Sequence, residues 1–86
     1  MLNISIIIFN IKAFFFLERD KRNEAIMNLS RAIDWIHLVS SRTKNEDMRQ
    51  GWLQKNTINR LSLIAWEQLQ HGKKPNFPTA KEFRNE

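Results

Sequence analysis

The sequence predicts an all-α protein in which two helices form an antiparallel hairpin, with an apolar N-terminal segment and a short C-terminal tail. Only two glycines and two prolines occur among the 86 residues, too few for the many turns of an all-β chain. Residues that favour helices, such as Leu, Ala, Lys, Arg, Glu and Gln, are frequent. A chain of this length forms one domain at most. We divide it into an apolar segment (1–17), a helical hairpin (18–72) and a polar tail (73–86).

The apolar segment, residues 1–17, changes abruptly at Glu18 into an ordinary soluble sequence. Thirteen of its residues are apolar. A membrane-spanning helix needs about 17–25 predominantly apolar residues, so this segment lies at the lower limit. Lys12 would cost roughly 2.5–3.5 kcal/mol at mid-membrane, and less if its side chain reaches the interface. The basic residues between positions 19 and 22 would keep the C-terminal side in the cytoplasm.

Three interpretations of residues 1–17 stay open. The segment is a membrane-associated helix, a buried segment of a soluble protein, or sequence upstream of the true start. The third follows from an excess of Ile, Phe, Asn and Lys, which AT-rich DNA encodes, with Met27 as the alternative start. A secretory signal peptide fits poorly, because no positive region precedes the apolar residues and no cleavage site follows them. Ile and Phe also favour strands, and a solid apolar stretch does not distinguish the two structures.

Residues 20–41 carry the spacing of an amphipathic helix. The apolar residues that share one broad face at 100° per residue are Ala25, Ile26, Leu29, Ala32, Ile33, Ile36 and Val39. Met27, Trp35 and Leu38 lie off this face. Large apolar side chains exposed on a lone helix are unfavourable, so we expect them to meet another segment or a partner.

A second helix is predicted over residues 44–71. The residues Thr43–Lys44–Asn45–Glu46 have the form of a capping box, in which the Thr43 hydroxyl accepts from a helix N–H and Glu46 reaches back. At the other end, Gly72 is placed to take the left-handed conformation that ends many helices. Gly51 costs roughly 1 kcal/mol relative to alanine inside a helix. It therefore predicts either a helix break or a close approach of the two helices beside Ile36.

A short turn near Thr43 makes the two helices antiparallel neighbours, with Trp35 level with Trp52. The second helix is apolar around most of its circumference between positions 61 and 69. Such a helix needs cover on more than one side, from the apolar segment, a second copy of the chain or a partner. The candidate interaction surface consists of Leu63, Ile64, Trp66 and Trp35.

The tail, residues 73–86, is polar and contains a second capping box, Thr79–Ala80–Lys81–Glu82, with Phe83 placed to pack back on it. A helix starting there has too few residues to be stable alone. We expect a short helix that folds onto a partner, or a truncated reading frame.

The residue pattern argues against catalysis and metal binding. The chain has no cysteine, which excludes disulfides and thiolate zinc sites. No P-loop, dinucleotide-binding glycine pattern, nucleophile elbow or zinc-protease motif occurs. His37 with Asp34 and His71 with Glu67 resemble carboxylate–histidine pairs, but the hairpin would separate the two histidines by roughly 30 Å. We therefore predict no enzymatic activity, no cofactor, no metal and no small-molecule substrate.

The net charge is +5, from 14 Lys and Arg against 9 Asp and Glu. This balance attracts anionic partners such as nucleic acid or the inner face of a membrane. Arg42, Arg49 and Arg60 fall on one side of the predicted second helix and form a candidate basic face for phosphates. Because the positive residues are scattered, a solvated helix face is the simpler interpretation.

The sequence favours a small, non-catalytic interaction or regulatory protein of the cytoplasm that associates with itself or with a protein partner. The first alternative is a small protein anchored by residues 1–17 at the inner membrane, with its C-terminal part in the cytoplasm. The second alternative is a basic nucleic-acid-binding protein.

Overall fold

The computed structural model describes residues 4–75 and 77, and within these ranges the chain is helical, without a strand. The α-helices are α1 (Ile4–Glu18), α2 (Arg22–Arg42), α3 (Glu46–Gln50) and α4 (Thr57–Gln70), and a π-helical turn (Gly51–Lys55) joins α3 to α4. The prediction of an all-α protein is confirmed. The strand considered for the apolar segment is wrong, because α1 satisfies its backbone within one continuous helix.

α1 and α2 form the most extensive helix–helix contact, and a tight turn joins them. The Lys21 N–H donates to the Phe16 carbonyl at 2.9 Å, and the Asp20 N–H donates to the Leu17 carbonyl at 3.1 Å. Asp20 has φ 61°, the left-handed conformation that this pair of hydrogen bonds requires. The Arg31 guanidinium lies 5.9 Å from the centre of the Phe9 ring, so α2 runs back along α1.

The predicted capping box at Thr43–Glu46 is wrong in its cap residue. Thr43 ends α2 instead, and its hydroxyl donates to the Val39 carbonyl at 2.8 Å. Asn45 caps α3, because its side-chain oxygen accepts from the Met48 N–H at 3.1 Å. Hydrogen bonds from Gln50 and Arg49 hold the pKa of Glu46 below its ordinary value.

The predicted single helix over residues 44–71 is interrupted. The Asn56 N–H donates to the Gly51 carbonyl five residues earlier at 3.0 Å, which closes the π-helical turn. The Asn56 side chain then caps α4 by accepting from the Asn59 N–H at 3.1 Å. Gly51 itself keeps helical dihedral angles, with φ −59° and ψ −43°, so the helix breaks at Asn56 and not at Gly51 as predicted. The close approach beside Ile36 is wrong. Apart from Gly51, its chain neighbours and the adjacent helix backbone, no described atom lies within 4 Å of the position that a Gly51 Cβ would take.

Two hydrogen bonds join α2 to the later part of the chain. Near the end of α2, the Ile36 carbonyl accepts from Trp52 Nε1 at 3.0 Å. At the start of α2, the Arg22 guanidinium donates to the Leu69 carbonyl at 2.8 Å.

The predicted glycine cap after the last helix is confirmed. Gly72 has φ 74°, its N–H donates to the Leu69 carbonyl at 3.2 Å, and the Lys73 N–H donates to the Gln68 carbonyl at 2.8 Å. Farther on, Phe77 meets Phe14 of α1 edge to face, with ring centres 5.9 Å apart. The second capping box and Phe83 lie outside the described residues.

The apolar core lies where α1, α2 and α4 meet. Its buried members are Ile6, Ala13, Leu29, Ala32, Ile33, Ile36, Ile58, Ala65 and Leu69. Four of these come from α2, the helix whose apolar face the sequence predicts most clearly. Helix α1 therefore contributes Ile6 and Ala13 of the apolar segment to the core of the molecule.

The two left-handed residues predict opposite effects of substitution. Asp20→Gly removes the steric cost of a side chain at positive φ and raises the free energy of unfolding by roughly 0.5–1 kcal/mol. Gly72→Ala introduces that steric cost and lowers the free energy of unfolding by about 1 kcal/mol. Urea denaturation followed by circular dichroism measures both changes.

Gly51→Ala is the control, because Gly51 has φ −59° and space for a Cβ. It should raise the free energy of unfolding by about 0.5–1 kcal/mol. Destabilisation by Asp20→Gly, or stabilisation by Gly72→Ala, would contradict the two turns described above.

Candidate interaction surface

α1 is apolar on two opposite faces. Its inner face buries Ile6, Asn10 and Ala13 against the rest of the molecule. Its outer face leaves four large side chains in solvent, with exposed fractions of 67% for Ile4, 43% for Ile8, 52% for Ile11 and 46% for Phe15. We call these four residues the outer stripe.

The spacing of the outer stripe follows from helix geometry. Its members are four, three and four residues apart, so at 100° per residue they fall within an arc of about 60°. The inner face has the same spacing on the opposite side of the helix. A helix that is apolar on both sides is normally covered on both sides. Among the described residues, only the inner face has such cover.

A buried polar contact sets which face of α1 is inside. Asn10 Nδ2 donates to the Ser62 hydroxyl of α4 at 2.8 Å and to the Ile6 carbonyl at 2.9 Å. Ser62 in turn donates to the Ile58 carbonyl at 2.6 Å. Both side chains are fully buried, and Asn10 Oδ1 has no hydrogen-bond partner among the described residues. The contact tolerates little rotation of α1. Rotation would leave more buried polar atoms without a hydrogen-bond partner, and each such atom costs about 1–3 kcal/mol in free energy.

Cationic side chains stand beside the outer stripe and near its C-terminal end. The Arg19 guanidinium lies 3.6 Å from the centre of the Phe15 ring and donates to the Phe15 carbonyl at 3.3 Å. Lys12 is exposed in the middle of α1.

A cavity of about 380 Å³ opens where α1 ends, α2 begins and the chain leaves α4. Its charged lining consists of Glu18, Arg22, Lys73 and Lys74. We call Arg22, Lys73 and Lys74 the basic cluster. Leu17, which belongs to the inner side of α1, also lines this cavity, so the basic cluster does not lie on the face of the outer stripe.

The candidate surface predicted from sequence is only partly exposed. Leu63 and Trp66 are half-buried and pack against the core, whereas Ile64 and Trp35 are exposed. Trp35 lines a groove of about 240 Å³ with Phe9. Ile64 lines a different groove, so the structure does not join all four residues in one pocket.

The three arginines predicted to share a helix face lie on three helices. Arg42 ends α2, Arg49 is in α3 and Arg60 is in α4. Arg49 also forms an ion pair with Glu46. The premise of one continuous helix is wrong because Asn56 ends the π-helical turn. Contact of these arginines with phosphates stays a prediction.

The histidines occupy exposed positions. His71 Nε2 lies 3.9 Å from Glu67 Oε1, in a pair that is open to solvent. His37 and Asp34 are exposed on α2. In residues 4–75 and 77, no three His, Cys, Asp or Glu side chains are grouped so that they could hold a metal ion.

Comparison with known proteins gives no family for the chain. No protein-family model, no curated protein sequence and no solved structure matches it. In the described part of the chain, none of the helices combines the length and the apolar character needed to cross a membrane.

The outer stripe was not found from the sequence, although its signal was present. Positions 4, 8, 11 and 15 and positions 6, 10, 13 and 17 have the same helical spacing. In a nearly continuous apolar segment these two sets are hard to separate. The position of Asn10, the polar residue buried within α1, identifies the inner set only once its partner Ser62 is known.

A double-mutant cycle tests the contact that orients α1. Asn10→Ala and Ser62→Ala should each lower the free energy of unfolding. The decrease in the double variant should be smaller than the sum of the two single decreases by roughly 0.5–1.5 kcal/mol. Ser41 is an exposed serine on α2 and supplies the control. Asn10→Ala with Ser41→Ala should be additive within about 0.5 kcal/mol. Additivity in both cycles would contradict the Asn10–Ser62 contact.

Proposed function

We propose that this chain is a small, non-catalytic helical interaction protein that associates through the outer stripe of α1. The observation that carries the proposal is the row formed by Ile4, Ile8, Ile11 and Phe15, each 43–67% exposed. Large exposed apolar surfaces on soluble proteins mark sites of contact with proteins or membranes.

The free energies of burial and association indicate that binding uses more than the outer stripe. Complete burial of an Ile or Phe side chain contributes about 1.5–3 kcal/mol. Because each stripe residue is already about half covered, the four together have several kcal/mol left to contribute. Association costs an estimated 4–15 kcal/mol in lost freedom. A partner must therefore also engage neighbouring groups, and the nearest charged ones include Arg19 and Lys12.

In this proposal the rest of the chain supports α1. We propose that residues 20–41 and 44–71 act as an antiparallel pair despite the break at Asn56. The Trp52–Ile36 and Arg22–Leu69 hydrogen bonds support that arrangement, since they join the end of α2 to the π-helical turn and its start to the end of α4. The surface predicted around Trp35 is a second place for contact, since Trp35 is exposed beside Phe9.

Photo-crosslinking tests the proposal whatever the identity of the partner. p-Benzoylphenylalanine inserts into C–H bonds of proteins and lipids alike, and it replaces a large apolar side chain with another. Placed at position 8 or 11 in the natively expressed chain, it should give abundant adducts detected by mass spectrometry.

Met48 supplies the matched control, because it is also a large apolar side chain and is more exposed than Ile8 or Ile11. The same probe at position 48 should give few adducts. Equal labelling at the three positions would show that exposure alone governs contact, and the proposal would then be wrong.

A further inference from the structure

We propose that the surface bound by the outer stripe is an anionic lipid membrane, on which α1 lies in the plane of the interface. This inference rests on the proposed function, because it names the partner of the same stripe. It requires an apolar face that enters the boundary between headgroups and acyl chains, and cations at the level of the phosphates.

The apolar requirement is met by the outer stripe. Three of its four members are isoleucines, and the fourth, Phe15, has its ring beneath the Arg19 guanidinium. An interfacial helix buries such a face about 5–10 Å into the bilayer boundary without crossing it. The inner face of α1 stays on α2 and α4, so membrane contact does not require the protein to unfold.

The charge requirement is met by two cationic side chains that flank the outer stripe, Lys12 and Arg19. Lys12 is exposed, and Arg19 stands over the last residue of the stripe. Glu18 and Asp20 are exposed acidic residues at the same end of α1. Long basic side chains at the edge of an apolar face extend their charged ends to phosphates. The net charge of +5 adds attraction to an anionic surface.

Charge argues against a second copy of the chain, and the type of apolar side chain argues against nucleic acid. A second copy of this chain would bring Lys12 and Arg19 of both copies toward one interface, where like charges repel. Nucleic acid matches the cations, but single strands use aromatic side chains for base stacking. The exposed isoleucines Ile4, Ile8 and Ile11 offer no such platform, whereas acyl chains accept them directly.

Vesicle co-sedimentation of the purified full chain tests the inference. The chain should bind vesicles of phosphatidylcholine with phosphatidylglycerol, and bind pure phosphatidylcholine much more weakly. Added salt should weaken the binding, because exposed charges are screened. Ile8→Glu with Ile11→Glu should reduce binding to the anionic vesicles by about tenfold or more. Lys12→Gln and Arg19→Gln should each reduce it by roughly fivefold.

The control is Met27→Glu with Met48→Glu, which adds the same two negative charges at exposed apolar positions outside α1. It should keep most of the vesicle binding. Circular dichroism and thermal unfolding of each variant establish that the fold is retained, as expected for substitutions at exposed positions.

Three results would overturn the inference. Equal binding to neutral and anionic vesicles would show that charge does not contribute to the binding. Binding of inorganic phosphate at the basic cluster without vesicle binding would show that the protein binds free anions and not membranes. A dimer seen by sedimentation velocity, abolished by Ile8→Glu with Ile11→Glu and accompanied by no vesicle binding, would make a second copy the partner. That last result would leave the proposed function standing, whereas equal crosslinking at positions 8, 11 and 48 would overturn both.

Discussion

The rest of the structure depends on one constraint: α1 carries more apolar surface than the described residues cover. The core formed with α2 and α4 takes one face of α1. The other face, from Ile4 to Phe15, stays in solvent. A small domain buries a limited fraction of its surface, so an additional apolar face is hard to hide within it. The distribution of apolar residues around α1 thus links the stability of the fold to its proposed role in association.

The choice of the inner face rests on polar as well as apolar contacts. Ile6 and Ala13 would pack in many orientations, but Asn10 needs Ser62 to satisfy its buried amide. Asn10 Oδ1 has no hydrogen-bond partner among the described residues, so rotation of α1 away from Ser62 would leave the Asn10 amide with even fewer partners. In this chain the arrangement selected is the one that turns the isoleucines of the outer stripe outward.

Much of the fold follows from local sequence, and each failed prediction has a physical cause. The apolar face of residues 20–41 and the glycine cap at Gly72 were predicted, because helical spacing and a glycine after a helix are local sequence signals. The break at Asn56 was missed because the apolar pattern continues across it. An asparagine side chain competes with the helix backbone there and caps α4 instead. The orientation of α1 needs a partner 52 residues away, which no local pattern specifies.

The central claim is that α1 is docked with Ala13 inside and Ile11 outside. The chain has no cysteine, so a single cysteine introduced at either position is the only thiol. Under native conditions, Ile11→Cys should react with a maleimide at the rate of a free thiol. Ala13→Cys should react at least roughly tenfold more slowly, because its labelling requires local opening. Equal rates at the two positions would show that α1 is not held on the core, and would contradict the account.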